Sequence, residues 1–307
     1  MLSIIINFYN NRREAMNSLH ALTRAYQRDA AALEFEVIAI DNGSTQPLTE
    51  AQVRAFGPEF HYRFVQTDSV SPAAAINAAC RDARGDRLIV IIDGAHLLSP
   101  GIYALTERAF AQFTKPFLAT VSLHLGPKQQ NQSVLEGYNQ QIEDALLARS
   151  GWKENGYRLY NVAGSFADPG MGWFGCAFEA GCFALHKQEY IDLGGFDERF
   201  VSRGGGLVAL DFFQRAVARE AGEYVMLLGE GSFHQFHGGV ASNAPKQDHP
   251  WAEFNAEYAR IRGKAFARVP RRPFYFGSIP NEALGAARMS AQHGLELWQK
   301  AVAQGEA

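Results

Sequence analysis

The stretch Arg87-Leu88-Ile89-Val90-Ile91-Ile92-Asp93-Gly94-Ala95-His96 decides the fold. Its centre is apolar throughout, which reads as a strand over 87–92 buried on both faces. Chemistry follows directly. An Asp and a His close together at a strand end can hold a divalent metal, and the metal can hold a diphosphate. Taken alone, one Asp and one His are a weak signal, because a loop His is usually just solvated or hydrogen-bonded.

Working toward the amino terminus, strand and helix signals alternate. Residues 3–8 form a β-branched run and 36–40 a second one, closed by the turn Asp41-Asn42-Gly43-Ser44. A weaker strand covers 62–66. Helical periodicity runs over 12–28, with Met16, Leu19, Leu22 and Tyr26 on one stripe. Shorter helices are expected at 48–56 and at 73–83, the latter stopping at Gly85. Beyond the central stretch come a helix at 100–113 and a strand at 117–123. This alternation predicts an α/β fold, a mostly parallel central sheet flanked by helices. Ligands of such sheets bind at the carboxyl ends of strands, where Asn10, Asp41 and Asp93 fall.

The second half is less regular. A helix is expected around 138–148, an ordered aromatic loop over 152–173, and a strand at 182–186 followed by a short helix at 188–193. A helix at 210–221 and a strand at 224–228 come next. The carboxyl-terminal part has helical stretches around 252–262 and 281–296, separated by a basic, Pro-rich stretch at 268–273.

The 307 residues carry 47% hydrophobic and 20% charged residues, with 22 Phe, 11 Tyr and 4 Trp. That is ample material for a core and excludes general disorder. A net charge of −3 gives no electrostatic support for nucleic-acid binding. Cys80, Cys176 and Cys182 are odd in number and form no CxxC pair, which argues against a disulfide framework and a structural zinc site. No stretch approaches the roughly 20 apolar residues of a membrane span. The expected location is cytoplasmic, or peripheral to the inner face of the membrane.

Several side chains admit two readings. Asp41 could accept hydrogen bonds from a nucleobase or ribose, but a turn-forming Asp bonded to its own backbone is the better reading of the stretch alone. His234 and His237, in Phe233-His234-Gln235-Phe236-His237-Gly238-Gly239, could share a metal or contact phosphate. Two structural histidines in a tight turn fit equally well.

Six motifs stand in a telling order: Asn7-Phe8-Tyr9-Asn10; Asp41-Asn42-Gly43-Ser44-Thr45; Asn77 with Gly85; Asp93 seven residues before Pro100; Gly194-Gly195-Phe196-Asp197-Glu198-Arg199-Phe200; and Asp211-Phe212-Phe213-Gln214-Arg215. Together they resemble a family 2 glycosyltransferase with the GT-A fold, over roughly 3–100 and 181–239. The resemblance implies a nucleotide-sugar donor, a UDP-sugar being favoured, and a glycan or lipid-linked acceptor hydroxyl. It also implies Mg²⁺ or Mn²⁺. It divides the chain into a donor half (1–125), an acceptor half of the same domain (126–245) and a helical extension (246–307). It implicates Phe8, Tyr9, Asn10, Asp41, Asn77, Asp93 and Gly94 in donor binding.

The chain departs from the family pattern in two important places. The second Asp of the family's DxD is Ala95, so His96, with His234 or His237, is expected to complete a metal site around Asp93. The usual acidic pair, whose Asp is the base, falls on Val208-Ala209. Glu179, Asp211, Asp144 and Glu143 are the remaining acids for that role. Glu179 stands out because a carboxylate between apolar residues is costly unless functional or paired, for example with Arg203. A retaining reaction, or a catalytically inactive protein that binds nucleotide or glycan, is the alternative.

Overall fold

The computed structural model describes residues 1–239 and 242–304. The elements in chain order are β1 (Leu2–Phe8), α1 (Arg12–Ala21), β2 (Phe35–Asp41), α2 (Glu50–Arg54), β3 (Phe60–Phe64), α3 (Ala73–Asp82), β4 (Arg87–Ile91), β5 (His96–Leu98), α4 (Ile102–Gln112) and β6 (Pro116–His124). They continue with α5 (Gln130–Ser133), α6 (Gln140–Ser150), β7 (Ser165–Phe166), β8 (Cys182–His186), α7 (Lys187–Asp192), α8 (Val208–Val217), β9 (Glu223–His234), α9 (Trp251–Arg262), β10 (Phe274–Gly277) and α10 (Leu284–Gln304).

One sheet runs through the molecule in the order β10-β9-β6-β8-β4-β1-β2-β3, with β5 on β9 and β7 on β6. Strands β3, β2, β1 and β4 are parallel, and so are β6, β9 and β10. Strand β8 runs antiparallel to both β4 and β6. The period-2 alternation of strand side chains divides the core between the two faces. Ile5, Leu88 and Val90 join the core on one face. Leu2, Ile4, Ile6, Ile89 and Ile91 join the core on the other. This is why the central strands read as unbroken apolar runs.

The structure differs from the sequence expectations at several elements. Helix α1 stops at Ala21, seven residues early, and Met16 is exposed. The chain turns there because Gln27 Nε2 donates to the carbonyls of Ala21 and Ser99, and Tyr26 hydroxyl donates to that of Leu98. Strand β9 extends six residues beyond 228, through a Gly-rich stretch that reads as a turn. Pairing with β6 on one side and β5 on the other holds it extended. The carboxyl-terminal extension is not purely helical, since β10 adds a parallel strand to β9.

Candidate functional site

Because β8 is antiparallel to both neighbours, the carboxyl ends of β1, β2, β4, β6 and β9 share one edge of the sheet with the start of β8. The chemistry gathers along that edge. Asp93 follows β4, His234 ends β9, and Glu179 precedes β8.

The register places His96, His234 and His124 in one row across β5, β9 and β6. The His234 ring centroid lies 5.0 Å from that of His96 and 5.4 Å from that of His124. His234 Nδ1 lies 2.7 Å from Gln130 Oε1. That oxygen also accepts from Asn243 Nδ2, while Gln130 Nε2 donates to the His234 carbonyl. The amide orientation is therefore fixed, His234 Nδ1 is the donor, and the Nε2 lone pair of the neutral ring faces outward.

That Nε2 faces Asp93 and His237. Asp93 Oδ2 is 3.6 Å from His234 Nε2 and 3.2 Å from His237 Nε2, and the two nitrogens are 3.2 Å apart. Asp93 Oδ1 accepts from the Ala95 N–H at 2.9 Å and from Asn11 Nδ2 at 3.3 Å. Burial works to raise the Asp93 pKa, but the two imidazoles outweigh it and hold the carboxyl well below its ordinary range. Burial works to lower the pKa of His237, but Asp93 outweighs it, so that ring's pKa is raised.

The segment after β9 is clamped from three directions. Asn243 Oδ1 accepts from the backbone N–H groups of His237, Gly238 and Gly239. Buried Glu143 accepts from the Phe236 N–H at 2.8 Å and from Tyr138 hydroxyl at 3.0 Å. Arg13 donates to the Phe236 carbonyl and pairs with Glu14, Glu143 and Asp144. Two of the four acids left open for the base role, Glu143 and Asp144, are thus partners of Arg13.

Asp93, His234 and His237 form a group whose ligand atoms all lie within 4.8 Å of one another. The donor set suits a divalent cation: one carboxylate and two imidazoles, one of them oriented by the Gln130 amide. His96 is outside this group. Its Nδ1 turns back to the Asp93 carbonyl at 3.1 Å, and burial pushes its pKa down to about 4. Ala95, in the place of the second family Asp, is wholly buried.

Two cavities meet at Asp93. The outer one, about 310 Å³, is lined by Tyr9, Asn10, Asn11, Asn42, Arg203 and His237, among others. The inner one, about 380 Å³, is lined by His96, His124, Asp168, Phe178, Glu179 and Trp251, among others. Pro72, Ile92, Asp93 and Gly204 line both.

Glu179 has no hydrogen bond or ion pair with the described residues, and Arg203 does not reach it. Burial, with a smaller contribution from Asp168, pushes its pKa up to about 7. Asn10 has φ 55°, and its side-chain oxygen accepts from Thr45, pinning the loop after β1 to the turn after β2. Gly94 is required: a Cβ there would lie 2.1 Å from the Phe8 ring.

Phe8, Asp41, Asn77 and Asp211 do not face the cavities. Phe8 is buried beneath Gly94. Asp41 is buried and accepts from the Ser44 N–H and Tyr62 hydroxyl, so the turn-forming reading describes its contacts, and neighbouring Asn42 lines the cavity instead. Asn77 bonds the backbone N–H and carbonyl of Phe196, Glu198 and Tyr190, tying α3 to the Gly194–Glu198 turn. Asp211 is gripped by Arg262, whose Nε and Nη2 are both at 2.6 Å, and by Arg215 Nε at 2.8 Å. Both its oxygens are occupied, so no acceptor proton can reach it. Sequence reasoning passed over Asn11 and Asn243, of which Asn11, adjoining a motif, carried a signal.

Residues 3–114 match the model of glycosyl transferase family 2. No curated protein matches the chain. Among solved structures, S. aureus TarS is 16% identical, with 87% of this chain and 40% of that one covered and a TM-score of 0.52. S. aureus TarS 1–349 in complex with UDP-GlcNAc is 15% identical, with 87% of this chain and 68% of that one covered and a TM-score of 0.50. The UDP complex of the same fragment is 14% identical, with 95% and 64% covered and a TM-score of 0.47. The chain thus spans from two fifths to about two thirds of the length of these structures. At this identity the likeness establishes the fold, a mixed α/β sheet of GT-A type, and the matched segment holds β1 through α4, including the strand end that carries Asp93. Over residues 3–114 the chain is thus similar to glycosyl transferase family 2.

Proposed function

We propose that the chain transfers a sugar from a UDP-sugar to a glycan or lipid-linked acceptor hydroxyl. The observation that carries this reading is the meeting of two cavities at the Asp93–His234–His237 group, with an unpaired carboxylate in the inner one. The uridine occupies the outer cavity between Tyr9, Asn10 and Asn42, and the diphosphate lies toward Asp93 and Arg203. The sugar extends into the inner cavity. The division into a donor half (1–125), an acceptor half (126–245) and an extension (246–307) follows from that orientation. The donor choice takes support from the S. aureus TarS fragment, which was solved in complex with UDP-GlcNAc.

Asp93, His234 and His237 are the residues that would hold a divalent cation. Two imidazoles in the set favour Mn²⁺ over Mg²⁺, which prefers oxygen ligands. Such a cation supplies positive charge against the diphosphate as the leaving group gains negative charge.

Glu179 acts as general base. The acceptor hydroxyl oxygen bonds to the anomeric carbon, the bond from that carbon to the phosphate oxygen breaks, and Glu179 takes the hydroxyl proton. UDP departs with the electron pair. An inverting transfer needs this proton acceptor, and a pKa near 7 suits it. The unpaired, tuned carboxylate weighs against an inactive binding protein, because a scaffold gains nothing from a costly acid there.

The test is calorimetric titration with UDP, GDP, CDP and dTDP, each with Mn²⁺, followed by measurement of UDP release from UDP-GlcNAc. Tightest binding of UDP, with release of UDP from the sugar nucleotide, is expected. No binding of any nucleotide would overturn the reading.

A further inference from the structure

His96 and His124 do no work in the mechanism above, yet both rings are buried and both line the inner cavity. Their inner nitrogens fix their tautomers. His96 Nδ1 faces the Asp93 carbonyl at 3.1 Å, and a carbonyl oxygen only accepts, so Nδ1 carries the proton. On the neutral ring Nε2 is then a bare acceptor. His124 Nδ1 instead accepts from the Gln130 backbone N–H at 2.9 Å, and a backbone amide only donates. Its proton therefore sits on Nε2. Among the described residues neither Nε2 has a hydrogen-bond partner.

The two rings flank His234 in the same row of the sheet, so the cavity floor offers one acceptor and one donor in opposite senses. Gly181 keeps that floor open. A Cβ at 181 would stand 2.7 Å from His96 Nε2, 2.8 Å from Ser232 Oγ and 2.9 Å from Ser122 Oγ.

We propose that His96 and His124 read hydroxyl groups of the donor sugar, His96 Nε2 accepting from one and His124 Nε2–H donating to one. This rests on the reading of the Asp93 end as the diphosphate position, since His96 is bonded to the Asp93 backbone and a sugar on that diphosphate comes next. Adjacent hydroxyls of a pyranose both donate and accept, which matches the pair. A site built this way discriminates because its polar groups are left unpaired when the hydroxyls are missing.

The experiment uses the full chain with Mn²⁺ and compares, by calorimetry, the affinities for UDP and for UDP-GlcNAc, UDP-glucose and UDP-galactose. The variants are His96→Asn and His124→Asn. The shorter amide can keep each inner hydrogen bond and lacks the outer nitrogen. Each variant is expected to bind UDP within about twofold of the wild type. Each should lose at least tenfold of the preference for the best UDP-sugar over UDP. If both variants keep the wild-type preference, or if the wild type prefers no UDP-sugar over UDP, the pair does not read the sugar. If UDP itself fails to bind the wild type, the nucleotide reading fails and takes this one with it. The two residues lie on different strands, so a folding defect in one variant leaves the other to decide.

Discussion

Glu179 is the residue on which the proposed chemistry turns, and its environment makes two predictions with opposite pH slopes. As a base it must be deprotonated, so turnover should rise with pH through about 7 and level off above. Stability should move the other way. A carboxyl whose folded pKa is raised binds its proton more tightly in the native state, so its contribution is fully present below the ordinary carboxylate range. It is lost as pH climbs to about 7. Glu179→Gln should cut turnover by roughly 10²-fold or more, within the usual span for a general base. The same variant should melt higher than the wild type, by a margin larger at pH 8 than at pH 5. Rates and melting curves across that range check both halves. Full turnover in the variant would remove Glu179 from the mechanism.

Helices α8 and α9 are latched by Asp211, and that latch shows why motif position alone misleads. Asp211 stands where family resemblance puts an acidic helix start, yet its two oxygens are filled by Arg262 from α9 and Arg215 from its own helix. Helix α9 brings Trp251 and Phe254 to the wall of the inner cavity, so the latch shapes the site without touching a reactant. Arg262 also pairs with Asp197 and both guanidiniums are partly exposed, so losing the carboxylate charge costs about 1.5–3 kcal/mol, the range for hydrogen bonds to a charged group. Asp211→Asn should lose about that much stability in urea while UDP affinity stays within twofold. A variant that keeps its stability but loses turnover would return Asp211 to the chemistry.

The same contrast marks what could be read from the sequence. Strands β1, β2, β4 and β8 were legible because an apolar run buried on both faces is a local property. Strand β5 and the second half of β9 were not, because Gly229, Gly231 and Ser232 discourage a strand until β5 and β6 pair with them. Asp93, His234 and His237 were legible as candidates from their residue types beside strand ends. The outward turn of Asp93 and the inward turn of His96 were not, because one backbone carbonyl decides the latter. Asn77 likewise sits in a motif, but its role as a tether depends on a turn more than a hundred residues away.

Taken as a whole, the molecule sets the cavity proposed for the nucleotide against a histidine-bearing segment from its second half, and cation and nucleotide should therefore bind as one coupled event. Asp93 is supplied from the end of β4, and His234 and His237 from the end of β9 and beyond, 141 and 144 residues further along the chain. A cation gathered by these three side chains faces the cavity in which the diphosphate is proposed to lie. Coupling of this kind is reciprocal: if Mn²⁺ raises the affinity for UDP by some factor, UDP must raise the affinity for Mn²⁺ by the same factor. A factor of 5–150 is the usual range for coupled sites. His237→Ala removes one ligand yet spares the backbone N–H that Asn243 holds. It should bring the coupling factor close to one, leaving the metal-free affinity for UDP within about threefold. Melting curves give a second view, because each ligand that binds only the native state raises the melting temperature by mass action. The rise with both ligands should exceed the sum of the separate rises in the wild type and equal it in the variant. If the wild type itself shows simple additivity, the Asp93–His234–His237 group is not holding a cation against the nucleotide, and the histidines would instead contact the phosphates directly.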